Sequence, residues 1–367
     1  MADHAQTSPR HADSEIVNPV DRGPRDRSDD WETEAMKNRE IVELKSQDEA
    51  IEYYEDFFEV QEDYLQAWWQ PHQFVKLKDV LDAMKIAPGS RIFDFGCGVG
   101  DVTGRLAALV PGCPVTGSDI SEKAVRQAAA RHPGLRFVTR DEALRETELY
   151  DVVFSHHVFE HVFDLDESFL EITAKLKPGG KILIVVPCGN PGSLEHTLTA
   201  TQPGGIDPNQ GNRFIHDAVG HLRRLRTEDL AALAGRHGFQ VADAFYADQY
   251  WGSVEWIARD GGRPFDLWFV PEKAVTPAAA EEVTRIRREL QPWFRTYGPF
   301  GKLKYKLAQR RKSPADWIKI LAGICALPIS YPANLMLWSR IRQEWRDRKT
   351  DPAGAEMWIV MERQPAN

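Results

Sequence analysis

The run Arg91-Ile-Phe-Asp-Phe-Gly-Cys-Gly-Val-Gly100 constrains this chain more than any other part of it. Its first half reads as a short apolar strand. Its second half places Gly96, Gly98 and Gly100 at alternate positions ahead of a helix-forming stretch. Glycines in that arrangement mark backbone that turns tightly and approaches a ligand with no Cβ in the way. Asp101 stands where the third glycine of a dinucleotide-binding GxGxxG loop would fall, so a pyrophosphate is not the expected ligand.

From this run onward, short apolar segments alternate with helical ones: Arg91 to Phe95, Pro114 to Ser118, Leu135 to Thr139, Tyr150 to Ser155 and Lys181 to Val186. A sixth segment runs from Phe239 to Phe245 and a last from Met357 to Met361. The alternation predicts an α/β fold, a parallel sheet with helices on both faces. Asp119 ends the second segment, where a carboxylate can accept hydrogen bonds from both hydroxyls of a ribose. Asp141, just after the third, is within reach of an adenine amino group.

The organisation expected is a disordered tail over 1–30, whose polar composition cannot offset the entropy of ordering; an N-terminal helical lid over 31–88; a core over 89–250; a helical insertion over 251–354; and a last strand with the C-terminus over 355–367. The lid carries aromatic clusters at Tyr53, Tyr54, Phe57 and Phe58 and at Tyr64, Trp68 and Trp69, with Pro71 predicted to interrupt the helical pattern.

Five ordered pieces, IFDFGCGVG, VTGSDIS, FVTRDEAL, YDVVFSHHVFEHVFD and LKPGGKILIVVP, resemble the class I S-adenosylmethionine-dependent methyltransferases. The resemblance, strongest to the small-molecule group related to ubiquinone-biosynthesis methyltransferases, covers about residues 91 to 245 plus the last strand. It implies a seven-stranded, mostly parallel, doubly wound sheet, the Rossmann-like methyltransferase fold. It implies S-adenosylmethionine as cofactor and S-adenosylhomocysteine as product. It also places Asp94 near the methionine amine, Gly96, Gly98 and Gly100 beneath the cofactor, Asp119 and Ile120 at the ribose, and Asp141 at the adenine. Ser155 and His156 would border the methionine end.

The reaction so implied is methyl transfer, with a hydroxyl on a small or lipophilic metabolite as the favoured acceptor. A sulfonium methyl is already activated, so the protein must mainly align the acceptor and exclude water. A hydroxyl acceptor also gains from a base. His157, His161 and His221 are the candidates; the first two, four residues apart, would share a face on a helix. Carbon or nitrogen acceptors, a cofactor-binding scaffold without turnover, and another use of the cofactor stand as alternatives. The run His157-Val-Phe-Glu-His161 also reads HxxEH, the pattern of inverted zinc peptidases, but such a site is not expected where a chain leaves the fourth strand of this fold. Ubiquinone-type relatives carry a metal-binding acid and Glu-His set that Glu160 and His161 match only at its end, so no metal ligand is assigned. Arg223 or Arg224 could hold a carboxylate or phosphate of the acceptor.

Charge bears on partners. The chain of 367 residues carries a formal −9, which argues against general affinity for nucleic acid. The charge is segregated: residues 1–63 hold 7 basic and 19 acidic side chains, and residues 302–349 hold 12 basic and 3 acidic. Within the basic region, Ile320 to Trp338 is nineteen residues without a formal charge. Pro328 and Pro332 predict a broken pair of helices or a shallow hairpin there, covering a substrate pocket or lying against anionic lipid. The four cysteines form no CxxC pair, and the first residues lack a basic start with an apolar run, so a cytoplasmic protein, in part peripheral to a membrane, is expected.

Overall fold

Several helices that follow strands begin on a local signal readable in their residues. Ser121 begins a helix by accepting from Ala124 N at 3.1 Å, Asp164 another from Glu167 N at 2.9 Å, and Thr139 with Glu142 forms a reciprocal capping box. The computed structural model of the chain describes residues 46–60, 71–217, 220–259, 261–308 and 312–365; the expected tail and the residues Tyr64, Trp68 and Trp69 lie outside them.

In order, the elements are α1 (Gln47–Val60), α2 (Pro71–Met84), β1 (Ile92–Phe95), α3 (Asp101–Leu109), β2 (Val115–Asp119), α4 (Glu122–Arg131), β3 (Arg136–Thr139), α5 (Arg140–Arg145), β4 (Tyr150–His156), α6 (Leu165–Ala174) and β5 (Leu176–Pro187). There follow α7 (Leu194–Ala200), a small ribbon of β6 (Ile206–Asp207) and β7 (Arg213–Phe214), α8 (Thr227–Arg236) and β8 (Phe239–Ala247). The insertion comprises α9 (Trp251–Arg259), α10 (Pro264–Leu267), α11 (Pro277–Thr296), α12 (Gly298–Ala308) and α13 (Pro314–Arg348), and β9 (Glu356–Arg363) follows it. Pro71 opens α2 at the position where a missing N–H costs nothing.

The main sheet has seven strands in the order β3-β2-β1-β4-β5-β9-β8. The first five pair in parallel, and β9 pairs antiparallel with both β5 and β8. This is the doubly wound methyltransferase arrangement expected from the sequence. Side chains alternate across it. Phe93, Val153, Ile182, Ile184 and Ile359 enter one core, whereas Ile92, Val152, Phe154, Leu183 and Trp358 enter the other. A third core, built from Val254, Ile257, Leu290, Leu337 and Ile341 among others, holds the insertion together with α7.

One expectation is corrected. Residues 320–338 do not break into two helices or a hairpin; they lie within the single 35-residue helix α13, with Pro328 and Pro332 inside it. The reason is position. Both prolines sit on the exposed side, where water can take the carbonyls that lose their in-helix donors. The opposite side is held by packing, and Gly323 lets α12 approach so closely that a Cβ there would meet Leu303 Cβ at 2.8 Å.

Candidate active site

Sheet order reverses between β1 and β4, because the chain runs outward from β1 to β2 and β3 and then returns to β4 on the other side. The crevice this leaves at the carboxyl ends of the strands is where a doubly wound fold binds its ligand. Gly96 adopts φ 77° there, and a Cβ on it would lie 2.3 Å from Val158 Cγ2. Gly98, also left-handed at φ 51°, donates its N–H to Asp119 Oδ2 at 2.7 Å, while Ser121 N–H donates to Asp119 Oδ1 at 3.0 Å. The Asp119 carboxylate thus ties the glycine loop to the end of β2; burial raises its pKa against these backbone bonds. Asp94 is buried beneath the loop and accepts the Thr103 hydroxyl at 2.6 Å. Burial pushes its pKa up to about 7, the Thr103 bond opposing and the Asp119 charge adding.

The loop leaving β4 supplies the histidines. It is a sequence of turns and not the helix that would have set His157 and His161 on one face. Glu160 organises them instead. It is fully buried, with His157 Nδ1 at 3.2 Å and His161 Nε2 at 3.9 Å. His157, at φ 55°, also sets Nε2 3.2 Å from Glu356 Oε1 on β9. Burial alone would lower the His157 pKa, but the two carboxylates outweigh it and raise it to about 10. The same contacts carry Glu160 down to about 2 against its burial. His157 is therefore a cation at neutral pH with both nitrogens engaged.

His161 differs. Burial and the neighbouring His221 lower its pKa to about 4, against the pull of Glu160, so it is neutral. Its Nδ1 lies 3.0 Å from the Gly220 carbonyl, an acceptor, which favours the tautomer with the proton on Nδ1 and the lone pair on Nε2. His221 meets it edge to face, with centroids 4.6 Å apart. His156, at the end of β4, is held near 3 by burial and by His157. Ser155 beside it is buried, and its hydroxyl has no partner among the described residues. Ile120 is half-buried after β2, and Asp141 is exposed in the first turn of α5.

Helix α1 lies across this constellation. Phe58 Cζ sits 3.3 Å from the position of a Cβ on Gly98, and the Phe58 carbonyl accepts from Gln127 Nε2 at 2.9 Å. One turn earlier, Tyr54 Oη reaches His161 Nδ1 at 2.8 Å. A glycine cradle, an acid at the end of β2 and an orphaned hydroxyl at the end of β4 fit an adenosine-bearing cofactor with a polar tail.

A family profile described as a methyltransferase domain matches residues 69–244. The trans-aconitate 2-methyltransferase of Rhodopseudomonas palustris (strain BisA53) is 30% identical over 237 residues, which is 58% of this chain and 87% of that protein. The chain belongs to the class I S-adenosylmethionine-dependent methyltransferases. The trans-aconitate 2-methyltransferase of Deinococcus radiodurans is 29% identical over 143 residues, so the match takes in 36% of this methyltransferase and 55% of that relative's length. Among solved structures, phosphoethanolamine N-methyltransferase 2 of Haemonchus contortus aligns over 85% of this chain and 60% of its own, at 18% identity and a TM-score of 0.44.

In this methyltransferase Gly96, Gly98, Gly100, Asp119 and Ile120, with Asp94, Asp141, Ser155 and His156, are the residues that would hold S-adenosylmethionine. Among the described residues two triplets, His156, His157 and Glu356, and Glu160, His161 and His221, bring metal-ligand atoms within 4.8 Å of one another; in the first, ion pairing with carboxylates already occupies both nitrogens of His157. The arginines expected at the acceptor are turned inward. Arg224 is buried between Asp217 Oδ1 at 2.6 Å and Glu195 Oε1 at 2.8 Å, and Arg223 donates to the carbonyls of Phe159, Val162 and Phe163. Arg223 holds the segment after β5 against the histidine loop, and Arg224 ties that segment to itself.

Two residues that matter here escape a motif search. Glu356 opens β9 and charges His157, and Lys76, 1% exposed on α2, pairs with Asp248 at 2.7 Å and with Glu356 at 3.6 Å. Lys76 had a signal: it interrupts the apolar face formed by Phe74, Leu77, Val80, Leu81 and Met84. A lysine on a buried face requires carboxylate partners. Nothing local marks Glu356.

Proposed function

We propose that this methyltransferase alkylates a hydroxyl oxygen on a small, weakly charged or lipophilic acceptor, with His161 accepting the proton. When bound, S-adenosylmethionine supplies a methyl group on a sulfonium that needs no further activation. The chain's residues then have three tasks. The glycine loop and Asp119 seat the nucleoside; the aromatic side chains of α1 keep water from the crevice; and neutral His161, its tautomer favoured by the Gly220 carbonyl, takes a proton at Nε2.

The observation that carries this reading is the state of the charged groups. His157, Arg223 and Arg224 are all engaged inside the protein, whereas His161 is neutral. Relatives are named for trans-aconitate, a tricarboxylate; an acceptor of that kind would call for cations free to meet it. The neutral imidazole suits an O–H instead.

The stability of the product to base tests the proposal. Labelled methyl transferred from S-adenosylmethionine into an extract should remain in a product that withstands mild alkali, and His161→Ala should lower the transfer at least about a hundredfold. Release of labelled methanol in alkali would identify a carboxylate acceptor and overturn it, as would a methylamine product.

A further inference from the structure

The two sides of α13 differ. Ala333, Leu337 and Ile341 are buried in the insertion core. On the other side Trp317, Leu321, Ile324, Pro328, Tyr331 and Leu335, spaced by four, three, four, three and four residues, form one exposed line along the helix. Beside it lie Ile318 and Ile329, which are 71% and 66% exposed. At 1.5 Å per residue this stripe is about 27 Å long. Soluble proteins rarely leave apolar surface of that extent to water.

Both ends of the stripe are basic. Its line continues through Ser339 to Arg342 and Arg346, both exposed. At the other end Lys312 lies 6.0 Å from the Trp317 ring, and Lys319 is exposed one position before the uncharged stretch begins. Trp317 and Tyr331 are the side chains that favour a boundary between water and hydrocarbon.

We infer that this face of α13 docks on an anionic lipid surface, with the helix lying in the plane of the headgroups. Charge selects this occupant over a second copy of the chain. Two such stripes pairing in either direction would bring a basic end against a basic end, whereas lipid phosphates meet both ends favourably. Length and composition alone would let α13 cross a bilayer, but its buried face is packed on the protein and is not available to lipid. The inference stands apart from the choice of methyl acceptor, and its test reads lipid binding without turnover.

Flotation of the full chain with vesicles of phosphatidylcholine and phosphatidylglycerol, against phosphatidylcholine alone, tests it. The anionic vesicles should float the protein, added salt should weaken binding, and alkaline carbonate should release it. Leu321→Glu with Ile329→Glu should lower the partition constant by at least about tenfold, and Arg342→Glu with Arg346→Glu by about tenfold through charge. Unchanged affinity for S-adenosylhomocysteine in both variants would show that they are folded. The inference fails if the wild type floats with neither vesicle, if the charge-reversed variant floats as well as the wild type, or if carbonate does not release the protein. A wild type that does not float, but is a dimer by light scattering and becomes a monomer with Leu321→Glu and Ile329→Glu, would assign the face to a second copy.

Discussion

Tyr54 Oη lies 2.8 Å from His161 Nδ1, and the two rings meet edge to face with centroids 5.7 Å apart. The first residue comes from the helix that covers the glycine loop and the second from the loop that leaves β4. Cover and candidate base are thus joined by one hydrogen bond. Tyr54→Phe keeps the ring and removes a bond worth about 1 kcal/mol. Methyl transfer into the extract acceptor should slow by about fivefold, with the affinity for S-adenosylhomocysteine unchanged by calorimetry. An equal loss in both would mean that the hydroxyl acts by seating α1.

Asp119 holds the glycine loop and is the candidate ribose acceptor at once. Replacing it with Ala removes the acceptor for Gly98 N–H and Ser121 N–H as well as for a ribose. A loss of about 1–3 kcal/mol in S-adenosylhomocysteine binding is expected. Asp119→Asn, which keeps one acceptor oxygen, should fall between. Calorimetric affinity equal to wild type in Asp119→Ala would show that this carboxylate does not contribute to the nucleoside site.

The His157 ion pairs give stability a pH signature. Its pKa is raised in the folded chain to about 10 from an ordinary 6.5, so the stabilisation is complete below pH about 6.5 and is lost as pH rises through about 10. Thermal melts from pH 6 to 10 should show a decline that Glu356→Gln reduces, because the variant removes one of the two carboxylates that hold the proton. An identical slope in the two proteins would contradict the assignment of charge to His157.

Arg224 is the hub of a buried network with Asp217 and Glu195, and Glu195 also meets His216 Nε2 at 2.6 Å. Arg224→Met would leave two buried carboxylates short of their cation and should destabilise the fold by about 3–5 kcal/mol in urea unfolding. Glu228→Ala, at a surface pair, should cost under about 1 kcal/mol. If the two variants proved equally stable, the network would have to be regarded as solvated.

How much of this was legible in the sequence follows from the range of each interaction. The strands from Arg91 to Val186 and the glycine loop with Asp94 and Asp119 announce themselves within a few residues, because alternation and tight turns are local properties. The loop from His157 to His161 does not. Its four-residue spacing suggests a helix, and only the buried Glu160, with Glu356 far along the chain, explains the turn that forms. Pro328 and Pro332 likewise suggest a break, yet whether a proline breaks a helix depends on which side faces water. Arg223 and Arg224 read as anion anchors until their partners, Asp217, Glu195 and the carbonyls of the histidine loop, are known.

The place of β9 has a consequence for how the molecule is made. It lies between β5 and β8, although α9 to α13 are all synthesised before it. The β9 partner that β5 and β8 share is therefore available only after the whole insertion has been made. Glu356, the first residue of the missing strand, arrives later still, and with it the second carboxylate for His157. The charge pattern around the histidines is consequently completed among the last events of assembly.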